Sequence, residues 1–120
     1  MRILAIIALC CATPVGAADV AVPSGHVLRL FDVIMDPPMG RFRFVLPQIA
    51  DGVGFDDLVA DFDYLCAEVA QPALVAAKMA VDSIVISVSA AEVPFGETTD
   101  VVQYFQPYRL DGGNCIWEDF

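Results

Sequence analysis

Side chains that commonly act as catalytic bases or nucleophiles are scarce in this sequence. His26 is its one histidine, and Ser24 precedes it by two positions. A hydrolytic triad needs a base beside a nucleophile and an orienting acid. No serine here lies in a nucleophile-elbow motif. We therefore predict no catalytic residue and interpret His26 as a surface or strand-end side chain.

The residues that could bind a metal ion do not form a recognised pattern. A zinc site usually needs three or four His or Cys ligands at close spacing, and the sequence after residue 18 offers one histidine and two widely separated cysteines. Carboxylates are abundant, but Asp61 and Asp63 are not followed by the glycine and distal glutamate of an EF-hand. We interpret both aspartates as part of a solvated helix face. The glycine-rich stretches also lack the lysine and Ser/Thr of a P-loop, so neither a metal nor a cofactor is predicted.

Cys66 and Cys115 are the clearest pair for a covalent bond. Cys66 lies in helical phase between Phe62 and Val69 on an apolar stripe, and Cys115 begins the last predicted strand, where it would oppose Leu110. An even pair of cysteines in an oxidising compartment predicts a disulfide. The alternatives are two buried free thiols or an intermolecular bond.

Arg41 and Arg43 form the most concentrated positive spot in the sequence. They flank Phe42 on an alternating segment, so both should project from the solvent face of one strand. We predict that they mainly neutralise nearby acids. Contact with an anion or a partner is the alternative role.

Aromatic residues near the C-terminus could line a ligand groove or belong to the core. In a domain of this size, a core position is favoured. The residues in question are Tyr104, Phe105, Tyr108 and Trp117.

The spacing of apolar residues predicts the elements that would position these side chains. Period-two or β-rich segments predict strands over residues 26–35, 41–49, 83–90, 101–110 and 115–118. Helical spacing begins at Phe55 and continues to Gln71-Pro72, where the proline should end or kink the helix, and residues 73–80 could form a second short helix. The order β-β-α-β-β-β predicts an α+β fold: an antiparallel sheet of about five strands with an amphipathic helix packed on one face.

Residues 1–18 have the features of a secretory signal peptide. Arg2 is followed by an apolar run over residues 3–12, by Pro14, and by small residues before a predicted cut at Asp19. An uncleaved membrane anchor and lipid attachment at Cys10 or Cys11 are the alternatives, but a membrane span needs about 20 apolar residues. We therefore predict a periplasmic or secreted protein, with no transmembrane span after cleavage. We also predict that residues 19–120 form a single small α+β domain, in which residues 19–25 are a loose lead-in.

Charge restricts the partners of this domain. Five of the six basic residues follow residue 18, together with all 16 acidic residues, so the predicted domain carries 11 more negative than positive charges. Such a surface disfavours nucleic acid and anionic lipid and suits a cationic partner.

Several short segments resemble a known family. They are Leu65-Cys66, Ile84-Val-Ile-Ser87, Tyr104-Phe105 and the terminal Cys115-Ile-Trp-Glu-Asp-Phe120. In these segments the chain resembles a family of short exported alphaproteobacterial proteins of unknown function, which are sometimes automatically named acetolactate synthase. The resemblance implies no catalytic residues that could be carried over. Acetolactate synthase activity is physically implausible here, because a thiamine-diphosphate enzyme needs far larger domains and its regulatory subunit would have the order βαββαβ.

These observations favour an exported, non-catalytic binding or interaction module. Its partner would be an unknown protein or small ligand, and a cationic one would suit the charge. The alternative is a small carboxylate-dependent hydrolase, because the many acids could include an acid–base pair.

Overall fold

Six strands form one sheet in which the order of the strands in space follows their order in the sequence. The computed structural model describes residues 18–119, so residues 1–17 of the predicted signal peptide and Phe120 lie outside the described residues. The strands are β1 (Ala18–Ala21), β2 (Val27–Asp36), β3 (Met39–Val45), β4 (Ser83–Ser89), β5 (Gln103–Asp111) and β6 (Asn114–Trp117). A short 3-10 helix at Pro47–Asp51 follows β3, and one helical segment over residues 55–76, here α1, precedes β4.

The α+β class is confirmed, but the predicted sheet of about five antiparallel strands needs two corrections. β3 and β4 pair in parallel, with Phe42 opposite Ile86, whereas the other neighbouring strands are antiparallel. Parallel strands need a long crossover connection, and the segment that contains α1 supplies it. The second correction is the additional strand β1.

The prediction that residues 19–25 are a loose lead-in is wrong. Asp19 lies opposite Arg29 and Val20 opposite Leu28 in the β1–β2 ladder. Val22, just after β1, is buried in the core. The apolar side chains of Val20 and Val22 thus pack this segment against the core. The segment is too short to show a clear strand pattern in the sequence.

The main core lies between α1 and one face of the sheet. Helical residues and strand residues with the predicted alternation are almost fully buried there, and they include Leu58, Phe62, Leu65, Phe42, Phe44, Ile84, Ile86 and Val88. Phe42 and Phe44 therefore point inward as predicted. The opposite face of β3, β4 and β5 points away from α1.

Pro72 does not end the helix. Phe55–Leu58 is a 3-10 turn, Val59–Tyr64 is α-helical, Leu65–Ala70 has π geometry, and Gln71–Ala76 is α-helical again. A proline has no N–H to donate and its ring crowds the carbonyl four residues earlier. The wider π turn directly before Gln71 leaves room for this ring, so the helix continues with altered geometry. No helix within residues 18–119 is both long and apolar enough to cross a membrane.

The predicted disulfide is present. Cys66 in the π segment of α1 is bonded to Cys115 in β6, with their Cα atoms 6.2 Å apart. Cys115 lies opposite Leu110 as expected, because Gly112 and Gly113 adopt positive φ angles of 59° and 86° and close a tight β5–β6 turn. The bond links the helix to the C-terminal edge of the sheet.

Candidate functional site

A pocket lies on the sheet face that is opposite α1. Its floor is formed by side chains from the three central strands, and the register places Arg43 of β3, Ser87 of β4 and Phe105 of β5 in one row. The neighbouring positions on this face are Arg41, Val85 and Gln103. Because side chains alternate between the two faces of a strand, these residues are all directed away from the helical core.

The loop between β4 and β5 covers this floor. Residues 94–97 line the pocket together with the sheet, and the volume of this partly open pocket is about 250 Å³. The ring of Phe95 lies 5.4 Å from the guanidinium carbon of Arg41 and 5.5 Å from that of Arg43, measured to the ring centroid. One aromatic side chain of the loop therefore contacts both cations of the floor.

Arg43 holds the loop against the sheet. Its Nη1 donates to Oδ2 of Asp32 at 2.7 Å, and its Nη2 donates to the carbonyl oxygen of Val93 at 2.7 Å. Its guanidinium carbon also lies 4.9 Å from the centroid of the Phe31 ring. Only 6% of Arg43 is exposed, so the prediction that it projects from the solvent face is wrong: the β4–β5 loop covers it.

Arg41 differs from Arg43 although the two share a strand and a face. It makes no ion pair with any residue of the described range 18–119. Its Nε is buried and has no hydrogen-bond partner there, and the same is true of Oγ of Ser87. Ser87 is 4% exposed. A buried polar group without a partner costs about 1–3 kcal/mol, so two unsatisfied donors in the floor of one pocket are a specific feature of this site.

The charges around the pocket balance, but one of its two cations, Arg41, has no bonded carboxylate within residues 18–119. Two guanidinium groups meet one directly bonded carboxylate, that of Asp32. The carboxylate of Glu97 also lines the pocket but forms no ion pair within residues 18–119. The site thus contrasts with the net charge of the sequence, −10.

Two other cavities lie in the described part of the chain, and the first shares Arg43, Pro94 and Phe95 with the pocket. One of about 460 Å³ lies on the other side of Phe95 and contains Asp32 and Glu92, but these carboxylates bind Arg43 and Arg29 at 2.7 and 2.6 Å. Another lies between the end of α1 and the β5–β6 turn and is lined by Gln71, Leu74, Met79, Gly113 and their neighbours. Its Gln71 side chain donates to the carbonyl oxygen of Gly113 at 2.9 Å.

The two helical aspartates are not simply solvated, as the sequence had suggested. Asp61 is 1% exposed, and its carboxylate accepts hydrogen bonds from the N–H and the hydroxyl of Ser24 at 2.9 and 2.6 Å. Asp63 is exposed but accepts a hydrogen bond from the hydroxyl of Tyr108 at 2.8 Å. Burial raises the pKa of Tyr108, and the hydrogen bond and negative charge of Asp63 raise it further.

The other predicted candidates are dispersed. His26 is half-buried just before β2. In the part of the chain that the structure describes, no group of three or more His, Cys, Asp and Glu side chains could hold a metal ion.

The C-terminal aromatic residues lie on both faces of the sheet. Tyr104 and Trp117 lie within about 6 Å of Phe55 on the helix side, measured between ring centroids, whereas Phe105 lines the pocket on the other face.

The sequence does not identify Ser87, Gln103 or Phe95 as pocket residues. Ser87 and Gln103 are ordinary polar positions of alternating strands, and Phe95 lies in a loop. Ser87 alternates in its strand as the arginines do in theirs, but alternation assigns a face within one strand and does not show that β3 and β4 are neighbours. The position of Phe95 had no comparable signal.

Comparison with known proteins gives a family without an assigned activity. Residues 7–120 match the model of a family described as "Family of unknown function (DUF6497)". Neither a curated protein nor a solved structure matches the chain.

Proposed function

Because the chain belongs to the DUF6497 family of unknown function, we propose from its own geometry that it is an exported, non-catalytic module that binds a small ligand. The binding site is the pocket between the β4–β5 loop and the sheet. The observation that carries this proposal is the pair of buried, unpartnered donors, Arg41 Nε and Ser87 Oγ, in a floor that a loop covers. Concave sites with aromatic walls and a few convergent polar groups are typical of ligand binding.

The lining of the pocket suits binding better than proton transfer. A guanidinium group stays protonated at any physiological pH, and Ser87 and Gln103 are uncharged hydrogen-bonding groups. A hydrolase with paired carboxylates would need two acids directed at one substrate. This pocket offers Glu97, and the two acids of the neighbouring cavity are each bound to an arginine.

The local charge of the pocket points to a different ligand from the one suggested by the net charge. A cationic partner remains a prediction for the acidic outer surface. Within the pocket, Arg41 and Phe95 favour a ligand that brings negative or π-electron density to the guanidinium group.

Export is part of the proposal and is supported by the pattern of residues 1–18. The Cys66–Cys115 disulfide is compatible with an oxidising compartment. Intact mass and N-terminal sequencing of the protein from its native host's envelope and medium test this part. A chain that begins at Asp19 supports it, and a chain that keeps Met1 or Arg2 in the cytoplasmic fraction contradicts it.

Binding is tested by titrating the ¹⁵N-labelled domain with a library of small acidic, basic and neutral fragments. We expect chemical-shift changes at the amides of Val85, Ser87, Gln103 and residues 95–97. Phe105→Ala removes one wall of the pocket, and since 45% of Phe105 is exposed, the fold should tolerate the change. The matched control is Tyr64→Ala, which removes an aromatic side chain of 37% exposure from α1. If no fragment shifts the pocket residues, or if both variants bind alike, the proposed function is wrong.

A further inference from the structure

We infer that the ligand is a small monocarboxylate with a body about the size of one ring, and that Arg41 is the residue that binds its carboxylate. This inference rests on the proposed function and assigns the chemistry of the ligand.

The arrangement of charge distinguishes Arg41 from Arg43. Arg43 already donates to Asp32 and to the Val93 carbonyl, and it is 6% exposed. Arg41 lines the same pocket, forms no ion pair within residues 18–119, and has a buried Nε without a partner. A guanidinium group presents two parallel N–H donors that match the two oxygens of a carboxylate. A carboxylate therefore gains more binding free energy from Arg41 than from Arg43.

Ser87 supplies the second donor. It lies on β4 opposite Arg43 and two residues after Val85, the register partner of Arg41, so its side chain is diagonal to Arg41 across a parallel pair of strands. Its Oγ is buried without a partner. A carboxylate oxygen that accepts from this hydroxyl removes an unsatisfied donor as well as forming a contact.

A single negative charge fits this site better than two. The uncompensated cation is one guanidinium group, and the Glu97 carboxylate at the rim repels further negative charge. The rest of the sequence adds an acidic background of net charge −10. A phosphate dianion would meet more repulsion than one arginine offsets.

The size and walls of the pocket define the rest of the ligand. Its volume of about 250 Å³ exceeds the roughly 150 Å³ of an apolar cavity that binds benzene. Phe95 and Phe105 are 54% and 45% exposed, and both line the pocket. A flat apolar body would cover part of these rings, while its carboxylate reaches the floor.

The test uses matched pairs of probes on the disulfide-bonded domain: benzoate and benzamide, phenylacetate and phenylacetamide, and inorganic phosphate. Binding is followed by NMR titration of the pocket residues. We expect each carboxylate to bind at least tenfold more tightly than its amide and more tightly than phosphate. Arg41→Gln should remove this preference, and Ser87→Ala should weaken carboxylate binding severalfold. Glu97→Gln should strengthen it severalfold, because a repelling charge is lost.

Arg109→Gln is the control for Arg41→Gln. Arg109 is a half-exposed arginine of β5 that lies outside the pocket beside Asp111 and Glu118, so carboxylate binding should not change in this variant. Carboxylates and amides that bind the pocket equally, phosphate that binds more tightly, or an unchanged preference in Arg41→Gln would each overturn this inference and leave the binding function standing. Failure of every library fragment at the pocket residues would instead refute the proposed function.

Discussion

Arg43 and Asp32 are cross-strand partners whose ion pair fixes a loop on the outer face of the sheet. The register places them opposite each other on β3 and β2, and Nη1 lies 2.7 Å from Oδ2. The same guanidinium group binds the carbonyl oxygen of Val93. Of the two roles considered for the arginine pair, Arg43 neutralises an acid, whereas Arg41 makes no ion pair within residues 18–119 and is the proposed anion contact.

Arg43→Met should lower the free energy of unfolding by about 2–3 kcal/mol, because it leaves Asp32 and the buried Val93 carbonyl without their charged partner. Denaturant unfolding measures this loss, and hydrogen exchange should show faster opening of the β4–β5 loop. Arg41→Met is the matched control and should cost less than about 1 kcal/mol, since it breaks no ion pair. Equal losses in the two variants would contradict the distinction drawn between them.

The disulfide should contribute a large part of the stability. It joins residues 49 positions apart, and the chain-entropy relation for such a loop gives about 4 kcal/mol. We expect the double variant Cys66→Ala, Cys115→Ala to lose roughly this amount in urea unfolding, with a similar fall for the natural chain in reductant. A loss below about 1 kcal/mol would show that the bond adds little beyond the packing of α1 on the sheet.

Stability should fall at high pH because of Tyr108. Its pKa is raised above the ordinary value of 10.0 by burial and by Asp63, so the native state keeps this proton more firmly than the unfolded state. The resulting stabilisation is complete below pH 10 and is lost progressively as the pH rises above it. Denaturant unfolding at pH 7 and pH 11 should therefore show a larger loss for the natural chain than for Tyr108→Phe.

Tyr64→Phe, at an exposed position of α1, is the control for this pH experiment and should behave as the natural chain does. At pH 7, Tyr108→Phe should cost about 1 kcal/mol for the lost hydrogen bond. An equal pH dependence in all three proteins would rule out Tyr108 as the cause.

Asp61 should connect the N-terminal segment to the helix. Its buried carboxylate accepts two hydrogen bonds from Ser24, and hydrogen bonds to a charged group contribute about 1.5–3 kcal/mol. Asp61→Asn should therefore destabilise the protein by about 2 kcal/mol and speed hydrogen exchange at Val22 and Gly25, whose amides close the same turn. Glu68→Gln, at an exposed position of α1, should change neither. Slow exchange in Asp61→Asn would mean that β1 is held by its ladder with β2 alone.

Local patterns in the sequence were sufficient to predict most elements and one long-range bond. Period two identified the strands around Phe42 and Ile86, and period 3.6 identified the buried stripe of α1. When one face of a strand or helix is buried, apolar residues recur along the sequence with the period of that element. The same phase directed Cys66 toward the sheet, and the two glycines after Asp111 turned Cys115 back beside Leu110. With only this pair of cysteines after residue 18, the sequence sufficed to predict the pairing, and the structure shows the bond instead of two free thiols.

The pairing of strands and the contents of the pocket were decided by the tertiary structure. Parallel pairing of β3 with β4 depends on how the connecting helix crosses the sheet, and no residue of either strand encodes that path. The burial of Arg43 and the contact of Phe95 with both arginines arise because the β4–β5 loop folds back over the outer face. Alternation could show that Arg41 and Arg43 share a face, but it could not show what covers that face, since contacts between residues some 50 positions apart leave no periodic trace in the sequence.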